Sequence, residues 1–323
     1  MRSSVATSTK TRRSSVTKPS FDATEEIRSG FVALVGRPNA GKSTLTNALV
    51  GSKVAITSDT PQTTRHRLRA VIDRDDAQVV LVDTPGLHKP HDALGEQLNR
   101  SALKALEDVD VVAMLIDATQ PVGGGDRWVA EHVLSARRAK KILVLTKADI
   151  ANEKQVERQM AIAGNLVPFD EVVVLSAVQG FNLEGFYQAV VGYLPIGPRW
   201  FPRDMPSDQS VEVMVAEFIR EKILRTPFDE VPHAVGVAVE DLVVDPKGDL
   251  TRIWAVIYVE RSSQKGIIIG KGGESIKHIG TEARHDLERL LGTRVHLDLT
   301  VKVKKDWRRD SAQIRRFGYG DGA

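Results

Sequence analysis

Hydrophobic residues between about residue 30 and residue 194 form short continuous runs, separated by segments with helical spacing. The runs are typical of strands buried on both faces: FVALV (31–35), RLRAVID (67–73), QVVLVD (78–83), DVVAMLID (110–117), KILVLT (141–146) and EVVVLS (171–176). Segments between several of them, such as TLTNALV (44–50) and VERQMAIAGNLV (156–167), have the spacing of helices. This alternation predicts an α/β domain with a doubly wound, mostly parallel sheet over residues 29–194.

The pattern changes after residue 194. Four prolines between 195 and 208 predict an interdomain linker. The elements that follow are a helix at 211–225, two strands at 233–244 and 250–260 around the turn DPKG (245–248), a helix at 274–292 and a strand at 293–305. Their order predicts a second domain of α+β class over residues 209–318, followed by a short tail at 319–323.

Composition agrees with two domains that each bury a core: of 323 residues, 41% are hydrophobic and 27% are charged. The chain has no run of 18 apolar residues and no cysteine. The sequence therefore predicts a soluble protein without membrane-spanning helices, disulfides or thiolate metal sites. The absence of cysteine fits a reducing cytosol.

Residues 1–20 carry five basic residues, no acidic residue and many Ser and Thr. Such a segment buries too little apolar surface to fold, so residues 1–28 are predicted to be a disordered basic tail. An organellar transit peptide has a similar composition. The tail is favoured because the segment lacks the pattern of an amphipathic helix.

Charge is divided unevenly over the second domain. Residues 203–260 contain 6 Lys and Arg against 12 Asp and Glu, whereas residues 261–316 contain 14 against 7. One interpretation is a basic face directed at a polyanion. The other is a set of ordinary solvated faces, and charge alone does not decide between them.

A phosphate-binding loop follows the first strand directly. Gly36-Arg37-Pro38-Asn39-Ala40-Gly41-Lys42-Ser43 fits the pattern G-x-x-x-x-G-K-[ST] between a strand and a helix. The glycines let backbone N–H groups point at phosphates, and the helix adds its N-terminal partial charge. Lys42 is expected to reach the β- and γ-phosphates, and the Ser43 hydroxyl to bind Mg²⁺.

Three further short motifs each follow a strand. Asp83-Thr84-Pro85-Gly86 offers a carboxylate for Mg²⁺ and a Gly N–H for the γ-phosphate. In Thr146-Lys147-Ala148-Asp149 the last carboxylate can accept two hydrogen bonds from guanine, a donor pair that adenine lacks. Ser176-Ala177 offers a backbone N–H to the guanine O6. Each motif is weak alone, but their order is specific.

With these motifs the chain resembles the translation-factor-like GTPases and, in detail, the Era family. The resemblance rests on GRPNAGKSTLTNAL (36–49), SDTPQTTRHR (58–67) and DTPGLHKP (83–90). It implies hydrolysis of GTP to GDP with Mg²⁺, at a slow intrinsic rate. In SDTPQTTRHR the switch I threonine that completes the Mg²⁺ shell corresponds best to Thr64, with Thr63 as the adjacent alternative.

The residues predicted for the nucleotide site fall into three groups. The catalytic group is Lys42, Thr64 and Gly86. The metal ligands are Ser43, Thr64 and Asp83. The GTP contacts are Gly36, Arg37, Pro38, Asn39, Ala40, Gly41, Lys42, Ser43, Thr44, Asp83, Thr84, Pro85, Gly86, Leu87, Thr146, Lys147, Ala148, Asp149, Ser176 and Ala177.

Three positions of the site need separate comment. Thr146 replaces the Asn of most such GTPases, and its hydroxyl is expected to tie the base loop to the phosphate loop. Leu87 stands where Ras-type enzymes carry the Gln that orients the attacking water, a replacement that Era-like proteins share. Asn39 either only shapes its loop or, as in related GTPases, helps to hold K⁺ beside the phosphates. No catalytic role is assigned to His66, His88 or His91.

The second domain contains a loop that resembles the KH motif, in which G-x-x-G joins two helices and clamps a single-stranded backbone. Here the loop is Gly270-Lys271-Gly272-Gly273, and the element order is that of the type II KH domain found in Era. An apolar groove with Ile267, Ile268, Ile269, Ile276 and Ile279 is expected to face the bases. The predicted RNA contacts are Gly270, Lys271, Gly272, Gly273, Lys277, Lys302, Lys304 and Lys305. Arg308, Arg309, Arg315 and Arg316 extend this basic run, and Trp307 and Phe317 either stack on bases or pack in a core.

The resemblance covers roughly residues 29–318, and KHIGTEARHDLERLLGTRVHLDLTVKVKKDWRRD (277–310) looks specifically like Era. It implies a GTPase that binds 16S rRNA near its 3′ end and acts in 30S subunit assembly and 16S rRNA processing. It further implies a cytoplasmic monomer with peripheral membrane association. The alternative is a KH-domain RNA chaperone that keeps GTP as a mainly structural ligand, and Leu87 lends it some weight.

Overall fold

The computed structural model describes residues 26–58, 60, 63–90, 92–226 and 234–319. The predicted basic tail lies outside these residues except for its last three positions, and His91 and residues 320–323 also lie outside them. Among the described residues, no helix combines the length and the apolar character needed to cross a membrane.

A seven-stranded sheet organises the first domain. Its strands are β1 (Ile27–Gly36), β2 (Leu68–Asp73), β3 (Ala77–Asp83), β4 (Val111–Asp117), β5 (Lys140–Thr146), β6 (Glu171–Val174) and β7 (Ile196–Gly197). The order is β2-β3-β1-β4-β5-β6, with β7 beside β1. All pairs are parallel except β2 with β3 and β7 with β1, which confirms the predicted mostly parallel sheet.

Helices cover both faces of this sheet. They are α1 (Lys42–Val50), α2 (Ala93–Lys104), α3 (Gly124–Ser135), α4 (Glu153–Ala163) and α5 (Leu183–Tyr193). Helices α1 and α5 pack on one face, and α2, α3 and α4 on the other. Since both faces are covered, the central strands are mostly apolar, and all seven residues of β3 are buried. The carboxyl ends of β1, β3, β4 and β5 meet at one edge, where ligands of such sheets bind.

The proline-rich segment 195–208, predicted as a linker, packs on the first domain. The Pro195 carbonyl accepts from the N–H of Ser29 at 2.9 Å, and β7 pairs with the start of β1. The buried side chain of Gln78 binds the backbone of Trp200 and Phe201. Because β7 pairs with Ile27, the folded domain starts at this residue, two positions before the predicted boundary.

The second domain has a three-stranded sheet with helices against both faces, the short helix at 311–316 lying on the face opposite the longer ones. Its elements are α6 (Val211–Arg225), β8 (Gly236–Val244), β9 (Leu250–Val259), α7 (Ser262–Ile269), α8 (Glu274–Leu291), β10 (Arg294–Val303) and α9 (Ser311–Arg316). The strand order is β10-β9-β8, with β10 parallel and β8 antiparallel to β9. This confirms the predicted α+β order of helix, two strands, two helices and a strand, which is that of a type II KH domain.

A buried aromatic cluster joins the end of the chain to the first domain. Trp307, Phe317 and Tyr319 pack together and against Leu94 and Leu98 of α2. The indole N–H of Trp307 donates to the Ala234 carbonyl at 2.9 Å. Packing in a core, rather than stacking on bases, is therefore the role of Trp307 and Phe317. Tyr319 is 1% exposed, so the predicted tail begins one residue too early.

We expect Trp307→Ala to lower the free energy of unfolding by about 3–5 kcal/mol, because it leaves a cavity and an unpaired carbonyl in this cluster. Guanidinium unfolding followed by circular dichroism measures the loss. Trp200→Ala is the matched control, since Trp200 is 51% exposed and its removal should cost about 1 kcal/mol or less. Equal losses in the two variants would contradict a structural role for the cluster.

Candidate functional site

The loop between β1 and α1 curls around its own lysine. Lys42 Nζ donates to the carbonyls of Gly36 at 3.2 Å and Arg37 at 3.0 Å. Asn39 and Gly41 have left-handed backbones, with φ of 64° and 90°. Gly86 approaches the loop so closely that a Cβ at this position would lie 2.8 Å from the Pro38 backbone. Glycine is therefore required at position 86, where the Asp83–Gly86 motif meets the phosphate loop.

Burial sets the electrostatics at the centre of the site. It lowers the pKa of Lys42 to about 8, with the carboxylate of Asp83 acting in the opposite direction. It raises the pKa of Asp83 to about 6, against the influence of Lys42. A buried cation and a buried carboxylate that both resist ionisation favour a ligand that brings charge of each sign, as a phosphate with its metal ion does.

Three oxygen-bearing side chains converge beside Lys42. The hydroxyls of Ser43 and Thr64 lie 2.7 Å apart, and Ser43 Oγ donates to Asp83 Oδ2 at 2.8 Å. Asp83 Oδ1 is buried with no hydrogen-bond partner among the described residues. Thr63 also lines this pocket, but its hydroxyl is engaged elsewhere, because it donates to the Thr60 carbonyl at 2.6 Å. Hydroxyl and carboxylate oxygens suit Mg²⁺, so this donor set fits the ion that the motif implies.

The base loop is tied to the phosphate loop and to the neighbouring strand. Thr146 Oγ1 donates to the Ala40 carbonyl at 2.9 Å, the contact expected of its hydroxyl. Ser176 Oγ donates to Asp149 Oδ1 at 2.6 Å, and the Ala148 N–H donates to the Leu175 carbonyl. These bonds bring the Thr146–Asp149 and Ser176–Ala177 motifs together at the edge of the sheet.

Asp117, which was not predicted from the sequence, completes the base loop. Its carboxylate lies 2.7 Å from Lys147 Nζ and also accepts from the Thr119 hydroxyl at 2.6 Å. Burial opposes its ionisation, but the hydrogen bonds from Lys147 and Thr119 outweigh burial and lower the pKa of Asp117. The position of Asp117 at the end of β4 was the available clue, because Asp83 and Thr146 also end strands at this edge.

The remaining predicted contacts lie around the same edge. Pro38, Asn39, Gly41, Thr44, Thr64, Gly86 and Lys147 line one pocket together with residues 56–58. Thr84 binds the Leu34 carbonyl through its hydroxyl, and Arg37 pairs with Asp126 at the start of α3. Leu87 is fully buried in the core under α2 and α3. Its side chain therefore offers nothing to a water molecule at the phosphates.

The loop between α7 and α8 has the backbone that a G-x-x-G clamp needs. Gly270, Gly272 and Gly273 all have positive φ, of 73°, 61° and 84°. A Cβ on Gly270 would lie 2.7 Å from the Cβ of Ser275, so this position excludes a side chain. Lys271 is exposed at the tip of the loop. The arrangement leaves backbone and one cation open to an extended polyanion.

A groove of about 330 Å³ lies between α8 and the edge strand β10. Its apolar wall is Ile276, Leu297 and Leu299, and Lys277 and Arg284 stand beside it. The predicted row of five isoleucines is corrected here. Ile268 and Ile279 are buried in the domain core, because helical periodicity turns them towards β9 and β10.

The predicted basic run divides into two groups. Lys305, Arg309, Arg315 and Arg316 are exposed, as is Lys302, which pairs with Glu240 at 3.0 Å. Lys304 is half-buried. Arg308 instead bridges Glu260 at 2.8 Å and Asp92 of the first domain at 3.3 Å. Arg308 is therefore part of the contact between the domains.

Comparison with known proteins supports the assignment of both the GTPase domain and the KH domain. Residues 31–147 match the family described as 50S ribosome-binding GTPase, and residues 230–308 match the KH domain. The chain is 46% identical to GTPase Era of Mycobacterium sp. (strain KMS) over 91% of this chain and 99% of that protein. It is equally similar to GTPase Era of Mycolicibacterium smegmatis, with 46% identity over the same shares of the two chains.

Two solved structures are similar over both domains. One is Aquifex aeolicus Era bound to GDP and AlF₄⁻, with 37% identity, a TM-score of 0.87 and coverage of 91% of this chain and 100% of that one. The other is Era in complex with MgGDPNP and nucleotides 1506–1542 of 16S ribosomal RNA, with 37% identity, a TM-score of 0.88 and the same coverage. From its fold, its motifs and these relatives, the chain belongs to the Era family of GTPases.

Proposed function

We propose that this GTPase binds 16S rRNA through its KH domain under the control of GTP and acts in the assembly and processing of the small ribosomal subunit. The observation that carries the proposal is the contact of the nucleotide site with the KH domain through one segment: Thr63 and Thr64 line the nucleotide pocket, and the next two residues, Arg65 and His66, pack into the KH domain. Family membership argues against the alternative of a chaperone with GTP as a structural ligand.

In the nucleotide site we assign the phosphates to the loop 36–43. Lys42 releases its bonds to the loop carbonyls and reaches the β- and γ-phosphates, while the Gly86 N–H meets the γ-phosphate. Ser43, Thr64 and Asp83 would hold Mg²⁺, which would supply positive charge against the charge that develops on the phosphates. Asp149 recognises guanine, and Ser176 orients that carboxylate.

Catalysis in this site relies on fixed charge. With Leu87 in the core, the described residues offer no equivalent of the Ras glutamine, so the intrinsic hydrolysis rate is expected to be slow. Lys42 and the loop N–H groups stabilise the leaving phosphate. We propose that Asn39 adds K⁺ to this set, because it lines the same pocket as Lys42 and Ser43 and its side-chain oxygen is a suitable ligand for a cation.

For the RNA we assign the backbone to Gly270–Gly273 and the bases to the groove between α8 and β10. Lys271 and Lys277 lie at this surface, and Lys302, Lys304 and Lys305 extend the positive charge along the end of β10. The solved Era complex with nucleotides 1506–1542 of 16S ribosomal RNA supports the choice of RNA. A monomer working in the cytoplasm on this RNA is part of the same proposal.

We infer that the nucleotide site is coupled to the RNA site through residues 63–66, which contact α6 and Val235 of the KH domain. In the structure Thr64 lies beside Ser43, as a bound triphosphate requires, and the groove at α8 and β10 is open. We therefore propose that the triphosphate state is the state that binds RNA. Loss of the γ-phosphate releases Thr64 and the packing that depends on it, which shifts the population away from this arrangement.

We expect an RNA oligonucleotide with the sequence of the 16S 3′ end to bind more tightly in the presence of a non-hydrolysable GTP analogue than with GDP. Lys271→Gln combined with Lys277→Gln should weaken binding by about tenfold near physiological salt and reduce its salt dependence, because two phosphate contacts are lost. Fluorescence anisotropy measures both effects. Lys247→Gln, in the β8–β9 turn, is the control. Equal affinity in the two nucleotide states would defeat the proposed control by GTP.

We expect Asp83→Asn to stabilise the nucleotide-free protein at pH 8 and to abolish tight binding of the Mg²⁺–GTP analogue. Burial raises the pKa of Asp83 from 3.8 to about 6, so the ionised carboxylate costs folding free energy above pH 6. That cost, of up to about 3 kcal/mol, fades as the pH falls through 6 towards 4, because the folded chain then takes up the proton, and it vanishes below 3.8, where the unfolded chain is protonated as well. Thermal melting at the two pH values measures the gain.

The exposed Asp241→Asn is the control for this experiment and should change neither melting nor nucleotide affinity. A gain of stability that persists at pH 4 would show that the buried charge of Asp83 is not its source.

We expect GTP hydrolysis to be about tenfold faster in K⁺ than in Na⁺ at equal ionic strength, because a fitting cation stabilises charge on the leaving group. Asn39→Gly removes the side-chain oxygen, and glycine tolerates the left-handed backbone of this position, so the variant should lose the difference between the two ions. Phosphate release assays measure the rates. An unchanged rate in Na⁺ would remove K⁺ from the mechanism.

A further inference from the structure

The segment that carries Thr64 is held on both sides by the KH domain. We propose that Arg220, in the first helix of that domain, is a positioning residue for Thr64, so that the KH domain builds part of the GTP-bound nucleotide site. The inference rests on the proposed role of Thr64 at the metal ion and adds the group that places it there.

Arg220 anchors the peptide directly before Thr64. Its side chain is fully buried, and its Nη2 donates to the Thr63 carbonyl. Glu217, one turn earlier on α6, holds the guanidinium through both carboxylate oxygens, at 2.8 and 2.6 Å. Burial disfavours charge on Glu217, but Arg220 outweighs it and lowers the pKa of Glu217. Glu217 therefore fixes the orientation of the guanidinium, so that Nη2 of Arg220 points at the Thr63 carbonyl.

The residues directly after Thr64 are fixed by the same domain. Arg65 Nη1 donates to the Val235 carbonyl at 2.6 Å, and its guanidinium lies over the ring of Tyr319 at 5.3 Å. His66 Nε2 lies 3.6 Å from Glu217 Oε1, and its ring contacts Tyr319. Burial lowers the pKa of His66. Both side chains are buried, so residues 65 and 66 of this switch lie inside the contact between the domains.

Thr64 lies between the anchored Thr63 carbonyl and the anchored Arg65 side chain. Its own side chain lines the nucleotide pocket, where its hydroxyl lies 2.7 Å from the Ser43 hydroxyl. Ordering a loop residue costs about 1–2 kcal/mol of conformational free energy. Contacts from α6 offset this cost before the triphosphate arrives. The neighbouring Glu221, also fully buried, accepts from the Thr57 N–H at 3.0 Å and extends the same support to the start of the segment.

This geometry should affect the affinity for the triphosphate and not the affinity for GDP. Binding of the triphosphate uses Thr64, whereas binding of GDP does not, so loss of Arg220 should weaken only the first. By linkage, whatever Arg220 adds to triphosphate affinity is also the amount by which the triphosphate favours this placement of the KH domain.

The test compares Arg220→Met with Arg294→Met in the full chain. Arg294 is an exposed arginine of β10 that forms an ion pair with Asp249, so it controls for loss of an arginine from the KH domain. We expect Arg220→Met to lower affinity for the Mg²⁺–GTP analogue by about tenfold and to leave GDP affinity within about twofold. Arg294→Met should change neither. Isothermal titration calorimetry measures all four values.

A double-mutant cycle separates positioning from general damage. In a Thr64→Ala background, Arg220→Met should cost little further triphosphate affinity, because the residue through which it acts is gone. If Arg220→Met fails to fold, Glu217→Gln serves in its place, since it keeps the volume of the side chain and loosens the hold on Arg220.

An equal loss of GDP and triphosphate affinity, or additive losses in the cycle, would overturn the inference. The proposed function would fail differently, because the parent protein would then show no magnesium-dependent binding of the GTP analogue at all.

Discussion

A buried carboxylate at the end of one strand is the constraint on which the nucleotide site depends. Asp83 is buried at the edge of the sheet, where ionisation is costly, and Lys42, the Ser43 hydroxyl and the Thr84 backbone offset only part of that cost. Such a group is tolerated because a cation completes it. The loop, the helix behind it and the switch threonine are all arranged around the one oxygen of Asp83 that the described protein residues leave without a hydrogen bond.

Much of the fold could be predicted from the sequence, because the physics concerned is local. Strands buried on both faces must be apolar throughout, so β1, β3, β4 and β5 stand out as hydrophobic runs. A phosphate loop needs its glycines and its lysine at set spacing, so the position of loop 36–43 between β1 and α1 could be predicted. The order of elements in the second domain could also be predicted, because hydrophobic residues recur with one spacing in its helices and with another in its strands.

Other features could not be predicted, because they depend on contacts between distant segments. Segment 195–208 has a linker's prolines, yet Gln78 and β1 bind it to the sheet. Trp307 and Phe317 are aromatic residues in a basic run, and only the position of α2 decides that they are buried. Arg220 and Glu221 read as solvent-facing charges of a helix. Their burial follows from the switch that packs on them, which helical periodicity does not reveal.

The aromatic cluster at the end of the chain limits how the two domains can diverge in evolution. Leu94 and Leu98 lie on α2, and their partners Trp307, Phe317 and Tyr319 follow β10. A chimera that grafts a foreign KH domain onto this GTPase domain would place new side chains against α2. Parts of the chain more than 200 positions apart must therefore be exchanged as one unit, although each belongs to a different domain.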